Sequence, residues 1–191
     1  MSKKTRALAK ETRWYRRLHK TVAIPLVVFL FLVGTTGLLL TWKDELKLNP
    51  PSQSIAHQKN LIPLQTIQDI AIKYTDSLKL DTTINRIDYR PSKGIAKVRF
   101  EGHFTELQIN CYTGNIISTK QRTADIIEMI HDGSIIDYLF NSSGYPTKLF
   151  YSTAISLGLL FICFSGFWLW LKPKQIKKNK KSLELNRHYE D

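Results

Sequence analysis

The chain has 191 residues, a formal net charge of +12, and 43% hydrophobic residues. This length holds one ordinary domain, or a small domain with membrane anchors. The excess positive charge lies beside long apolar runs, so topology and contact with anionic lipid explain it and nucleic acid is not expected as a partner. The sequence has no CxxC pair, metalloprotease motif, phosphate loop or serine elbow, so nothing supports a hydrolase.

Two uncharged runs predict two transmembrane helices. They cover residues 21–42 and 149–171, which are 22 and 23 residues long. At about 1.5 Å per residue, each helix is roughly 33 Å long and crosses a hydrocarbon core of about 30 Å. Bulky and charged residues beginning at Lys43 follow the first run instead of a small-residue cleavage site, so this run is expected to be a retained anchor. Trp14 and Tyr15 precede it, which indicates that the helix begins earlier.

The basic residues set the expected orientation. Residues 1–20 contain eight Lys or Arg and one acid, and residues 172–191 contain seven and three. The region between these ends holds 13 basic and 12 acidic groups. Because Lys and Arg beside a span stay in the cytoplasm, both ends are predicted to be cytoplasmic and residues 43–148 to be exported.

The exported region is predicted to contain a small α+β domain at residues 64–122. Residues 43–63 include three prolines and are interpreted as a linker. Apolar residues recur at helical spacing over 64–78, and short alternating strands with turn residues follow up to residue 119. Residues 123–148 are interpreted as an amphipathic segment in the outer interface. The predicted fold class is a two-helix membrane protein with a helix and a short antiparallel sheet between the helices.

The order of these elements resembles the PepSY domain. A helix and strands lead into the run at residues 106–116, which ends in a Tyr-Thr-Gly-Asn turn, and a stretch like the one at residues 130–134 follows. The first membrane helix, with residues 17–20 leading into an apolar run that ends at 36–39, resembles the PepSY-associated transmembrane family. The second helix, with residues 166–170 before Lys172 and Pro173, is similar to it as well. The resemblance covers roughly residues 12–173.

The resemblance implies a bacterial inner-membrane protein with a periplasmic domain. Larger relatives with more helices include proteins linked to iron and siderophore uptake, some of which reduce ferric siderophores using haem held by histidines. This chain has two membrane helices, so the resemblance implies a reductase activity only for an oligomer or a subunit.

Two histidines are candidate haem ligands. His19 lies at the inner end of the first helix, on a stripe with Gly37 and close to Ala23, Leu26, Leu30 and Gly34. Glycines on a membrane helix mark a contact face, so His19 is expected to point toward a neighbouring helix. The alternative interpretation is an imidazole that rests in the interface between Arg17 and Lys20.

His131 follows an apolar helical face and precedes Gly133, a typical helix stop. It is expected at the outer membrane surface, and the alternative is a solvated histidine at a capped helix end. His19 and His131 lie at opposite ends of the predicted span, so each would bind haem b together with the same residue of a second copy. This arrangement predicts a homodimer, or a partner membrane subunit, with two stacked haems. His57, His103 and His188 are poor candidates.

The two cysteines are predicted not to pair with each other. Cys111 is in phase with Leu107 and Ile109, so burial is expected, with an intermolecular disulfide as the alternative. Cys163 shares a stripe with Ser152, Ser156, Leu159 and Gly166, which predicts a packing face.

Two classes of function follow. The first is a haem-binding electron-transfer component linked to iron or siderophore uptake. The second is a non-enzymatic PepSY module that binds a periplasmic peptide or protein and regulates a peptidase. The absorption spectrum distinguishes them.

Overall fold

A computed structural model of the chain describes residues 3–188, with side chains described for residues 6–182. Parts of the predicted basic ends 1–20 and 172–191, including the side chains of Lys3, Lys4, Arg187 and His188, therefore lie outside the described residues. Helix α1 spans Lys3–Thr41 and helix α5 spans Pro146–His188. Both helices continue through the basic residues beside the apolar runs, because Lys and Arg are good helix formers.

Helices α1 and α5 pack antiparallel in one compact unit formed by residues up to 35 and from 132 onward. The rings of Tyr15 and Trp168 lie 5.4 Å apart, and those of Phe29 and Tyr151 lie 5.9 Å apart. In the most apolar stretches of the two helices, only 11% and 6% of the residues are buried by protein. A core helix of a soluble protein would be mostly covered, so these apolar surfaces are suited to lipid.

The α+β domain belongs to a second unit, residues 36–131. Helix α2 (Leu64–Ser77) is followed by strands β1 (Ile84–Arg90), β2 (Ile95–Phe100), β3 (Thr105–Asn110) and β4 (Ile116–Gln121). The strands form an antiparallel sheet in the order β1-β2-β3-β4. Apolar residues alternate along β2 and β3. The core between α2 and the sheet contains Ile67, Ala71, Ala96, Val98, Phe100, Leu107, Ile109 and Cys111.

The polar face of the sheet is covered too. Lys97, Glu106 and Gln108 are 5%, 0% and 0% exposed, although they lie on the face opposite the core. Glu106 pairs with Arg122 at 2.7 Å and with Lys97 at 3.1 Å. These pairings satisfy charges that would otherwise be costly to bury.

Part of the predicted linker covers this face. Residues 48–57, here called the strap, contain no helix or strand. Gln108 accepts a hydrogen bond from the amide of Gln53 and donates one to the carbonyl of Pro51. The amide of Ile55 bonds to the carbonyl of Lys93. The strap is thus an ordered part of the domain, held by backbone groups that a periodicity analysis does not detect.

Residues 123–148 form two short helices and the first turn of α5, whose amides are bonded to a side chain. Helices α3 (Thr123–Asp132) and α4 (Ser134–Leu139) are separated by Gly133, whose φ of 81° is left-handed. The carboxylate of Asp137 is 1% exposed and accepts hydrogen bonds from the amides of Thr147 and Lys148. It therefore satisfies donors in the first turn of α5.

Candidate functional site

His19 is held against α5 by a serine. Its Nδ1 lies 2.6 Å from Oγ of Ser165, which is 4% exposed. The Ser165 hydroxyl donates to the carbonyl of Phe161, also at 2.6 Å. A hydroxyl has one proton, so when Ser165 directs it at Phe161 its oxygen is left to accept from a protonated Nδ1 of His19. The neutral ring with that tautomer carries its lone pair on Nε2.

His131 is held in the same way at the end of α3. Its Nδ1 lies 2.9 Å from Oγ1 of Thr36, a residue of α1 that is 7% exposed. Asp132 does not serve as the partner that orients this ring, because its carboxylate accepts bonds from Ser134 and pairs with Lys148. Burial raises the pKa of Asp132, but its bonds from Lys148 and Ser134 outweigh this effect and lower it.

The imidazole ring of each histidine also lies close to a glycine. Cε1 of His19 is 3.7 Å from the position that a Cβ on Gly166 would occupy, and Cε1 of His131 is 3.4 Å from that of Gly37. The hydroxyl residue and the glycine are consecutive in both cases, Ser165-Gly166 and Thr36-Gly37. Among the side chains described, those of residues 6–182, none forms a hydrogen bond with Nε2 of His19 or with Nε2 of His131.

The predicted contact stripe of α1 is largely confirmed. His19 faces α5, Leu26 is 7% exposed and contacts Gly158, and Gly37 contacts His131. Gly34 is the exception, because a Cβ there would meet nothing within 4 Å. The neighbour that His19 faces is the second helix of its own chain.

The remaining histidines are engaged differently. Nδ1 of His103 accepts a bond from the amide of Thr105, and its Nε2 lies 3.0 Å from the carbonyl of Asp81. Both of its nitrogens are occupied, so His103 has no lone pair for a ligand. His57 places Nδ1 3.0 Å from the hydroxyl of Tyr112. The side chain of His188 lies outside the described residues.

The two cysteines differ in their exposure. Cys111 is 0% exposed, which confirms the predicted burial, and that burial raises the pKa of its thiol. Cys163 is exposed and so is not covered by this chain, although Gly166 and Ser152 of the predicted packing face do contact His19 and Asp132. The contact face of α5 also passes through Gly158 and Ser165, and Cys163 is two residues, or about 200° of helical rotation, away from Ser165.

The donor set suits a haem better than a metal ion held by protein ligands alone. No group of three or more His, Cys, Asp or Glu side chains is placed to hold a metal within the part of the chain that the structure describes. Haem brings four ligands of its own and asks the protein for only one or two axial ones, commonly histidine. An imidazole that uses Nδ1 for a hydrogen bond and presents Nε2 to the iron meets that requirement.

Sequence reasoning predicted the two histidines as candidate ligands but did not single out Ser165 and Thr36, the hydroxyl residues that contact them. The signal was present in the two Ser/Thr-Gly dipeptides on apolar helices, but sequence spacing does not show which helix faces which histidine.

Two long apolar helices packed as a hairpin, together with an α+β domain, define a two-span membrane protein with a small additional domain. The chain belongs to the family described as the PepSY-associated TM region, whose model matches residues 16–189. No curated protein matches the chain.

Proposed function

We propose that this protein is a haem-binding electron-transfer component of the bacterial inner membrane, linked to iron or siderophore uptake. One observation supports it above all: His19 and His131 each have Nδ1 at hydrogen-bond distance from a buried hydroxyl, and no bond to either Nε2 comes from the side chains of residues 6–182. An imidazole with Nδ1 in a hydrogen bond and Nε2 available to the iron is a good axial ligand for b-type haem. When bound, haem supplies one-electron chemistry, and the chain supplies its position and surroundings.

Each site supplies one histidine, so a haem with two histidine ligands requires two copies of the chain. His19 would pair with His19 of the second copy, and His131 with His131. The homodimer is therefore part of this proposal.

The spacing of residues along helix α1 supports transfer across a membrane. His19 and the residue that His131 contacts, Gly37, are 18 residues apart on one continuous helix, a rise of about 27 Å. A typical hydrocarbon core is about 30 Å thick. The link to iron or siderophore uptake depends on the resemblance to larger members of the family. In this proposal both ends of the chain lie in the cytoplasm and the α+β domain lies in the periplasm.

The test is an absorption spectrum of protein purified in mild detergent from haem-replete cells. We expect a Soret band that shifts on reduction. His19→Ala and His131→Ala should each remove about half of it, since each would abolish one of two sites. His57→Ala is the matched control and should leave the band intact.

A colourless wild-type protein, or a Soret band that survives both key substitutions, would overturn the proposal. Either result would favour the alternative, a membrane-anchored module that binds a periplasmic peptide or protein.

A further inference from the structure

We infer that the dipeptides Ser165-Gly166 and Thr36-Gly37 are two copies of one haem-positioning device, in which the hydroxyl fixes the histidine tautomer and the glycine leaves space for the porphyrin. This inference depends on the proposed haem function and assigns roles to four residues that are not ligands. The device is named here a hydroxyl-glycine seat. His19 occupies the seat on α5, and His131 occupies the seat on α1.

The hydroxyl acts through hydrogen-bond direction. The carbonyl of Phe161 and Nδ1 of His19 both lie 2.6 Å from Oγ of Ser165; in the proposed arrangement the hydroxyl donates to the carbonyl and accepts from His19. In α1, the hydroxyls of Thr12, Thr21 and Thr41 all donate to the carbonyl four residues earlier. Thr36 on the same helix is expected to do likewise, and its oxygen then accepts from Nδ1–H of His131. Both seats thus leave the ligating lone pair on Nε2.

The glycines are not required by packing within the chain. An added Cβ at Gly166 or Gly37 would lie 3.7 or 3.4 Å from the nearest atom, which is ordinary van der Waals contact. Gly158, on the same helix as Gly166, is different because its Cβ would lie 2.9 Å from Leu26. Alanine also favours a helix more than glycine does. Packing among the described residues therefore does not account for a glycine beside each imidazole, and we assign it to the space that a haem needs beside the ring.

His19 and His131 would hold the haem through Nε2. Gly166 and Gly37 lie next to Cε1, the ring carbon between Nδ1 and Nε2, and a Cβ on Gly37 would also lie 3.9 Å from Nδ1 of His131. The seat therefore combines a hydrogen-bonded Nδ1 with a ring edge that no side chain of the glycine position covers, and the two features occur together at both histidines.

The hydroxyl is tested with Ser165→Ala and its conservative partner Ser165→Thr. Loss of the acceptor makes the imidazole a weaker electron donor, so we expect Ser165→Ala to raise the midpoint potential of one haem and leave the other unchanged. Haem affinity at that site should fall by about 10–100-fold, the range typical for loss of an outer-shell partner. Ser165→Thr should retain the wild-type potential. Thr36→Ala and Thr36→Ser should act in the same way on the other haem.

The glycine role is tested with Gly166→Ala and Gly37→Ala. Each should reduce the haem-to-protein ratio by about half while the apoprotein keeps its wild-type thermal unfolding. Gly34→Ala on α1 and Ser156→Ala on the exposed face of α5 are matched controls that should keep both haems.

The outcomes separate this inference from the proposed function. A wild-type protein without a Soret band refutes haem binding itself. If the wild type is red and Ser165→Ala keeps both potentials, the hydroxyl role is refuted. If both glycine variants bind haem fully, the role as free space is refuted.

Discussion

The side chain of Leu26 occupies the space that a Cβ atom on Gly158 would need, with Cδ2 of Leu26 2.9 Å from that position. Leu26 is 7% exposed and lies within the apolar run of α1. The absence of a side chain at Gly158 lets Leu26 pack directly on the backbone of α5, and small residues promote helix association in lipid by permitting such close contact.

Gly158→Ala is expected to destabilise the helical hairpin. The added methyl group forces Leu26 to shift, and overpacking of this kind costs about 1–3 kcal/mol. Thermal unfolding in mild detergent, followed by tryptophan fluorescence, measures the change, since Trp168 packs on Tyr15 across the hairpin. Gly34→Ala is the control, because its methyl group would meet nothing within 4 Å. A destabilisation by Gly34→Ala as large as that of Gly158→Ala would contradict this explanation.

Glu106→Gln is expected to destabilise the α+β domain strongly. Glu106 is 0% exposed and is the acidic partner of Lys97, Arg99 and Arg122, which would be left near one another without it. Breaking a buried charge network from one side costs about 3–5 kcal/mol. Hydrogen exchange of the β2 and β3 amides in the full-length protein measures this loss.

Asp88→Asn serves as the control for Glu106→Gln. Its pair with Arg90 is about one-third exposed on both sides, and such a pair contributes less than about 1 kcal/mol. If both substitutions accelerate exchange equally, the buried network is not what stabilises this face of the sheet.

The start of α5 is expected to loosen in acid. Burial raises the pKa of Asp137, but the amides of Lys148 and Thr147 that bond to its carboxylate outweigh this and lower it from its usual 3.8. A lowered folded-state pKa means that the stabilisation is complete above the unfolded value and is lost as pH falls through the folded one. Exchange of the Thr147 and Lys148 amides, corrected for intrinsic rates, should therefore accelerate below about pH 4. Asp137→Asn should remove this pH dependence, and a variant that retains it would implicate another group.

The predicted topology is testable with reporter fusions. A reporter active only in the cytoplasm should work at either end of the chain and fail when inserted near Asn60, because Lys and Arg beside the spans remain in the cytoplasm. Asn60 is exposed, so the insertion is expected to be tolerated. Cytoplasmic activity at Asn60 would refute the charge argument and, with it, the exported domain.

The sequence alone determined the elements with a strong local signal. Uncharged runs as long as those at 21–42 and 149–171 identify membrane helices because no charged side chain is tolerated cheaply in lipid. Period-two alternation identified β2 and β3 and the burial of Cys111, since side chains on a strand alternate between two faces. The resemblance identified the family from the order of motifs.

Only the tertiary structure decided which distant residues meet. Ser165 and Thr36 are 146 and 95 residues from the histidines that they hold, and a helical pattern shows which residues share a face without showing what that face contacts. The same ambiguity applies to Cys163, which shares a predicted stripe with Gly166 but is exposed where Gly166 faces His19. The strap over Glu106 and Gln108 was hidden for a related reason: it is held by backbone hydrogen bonds, which any residue except proline can donate and every residue can accept.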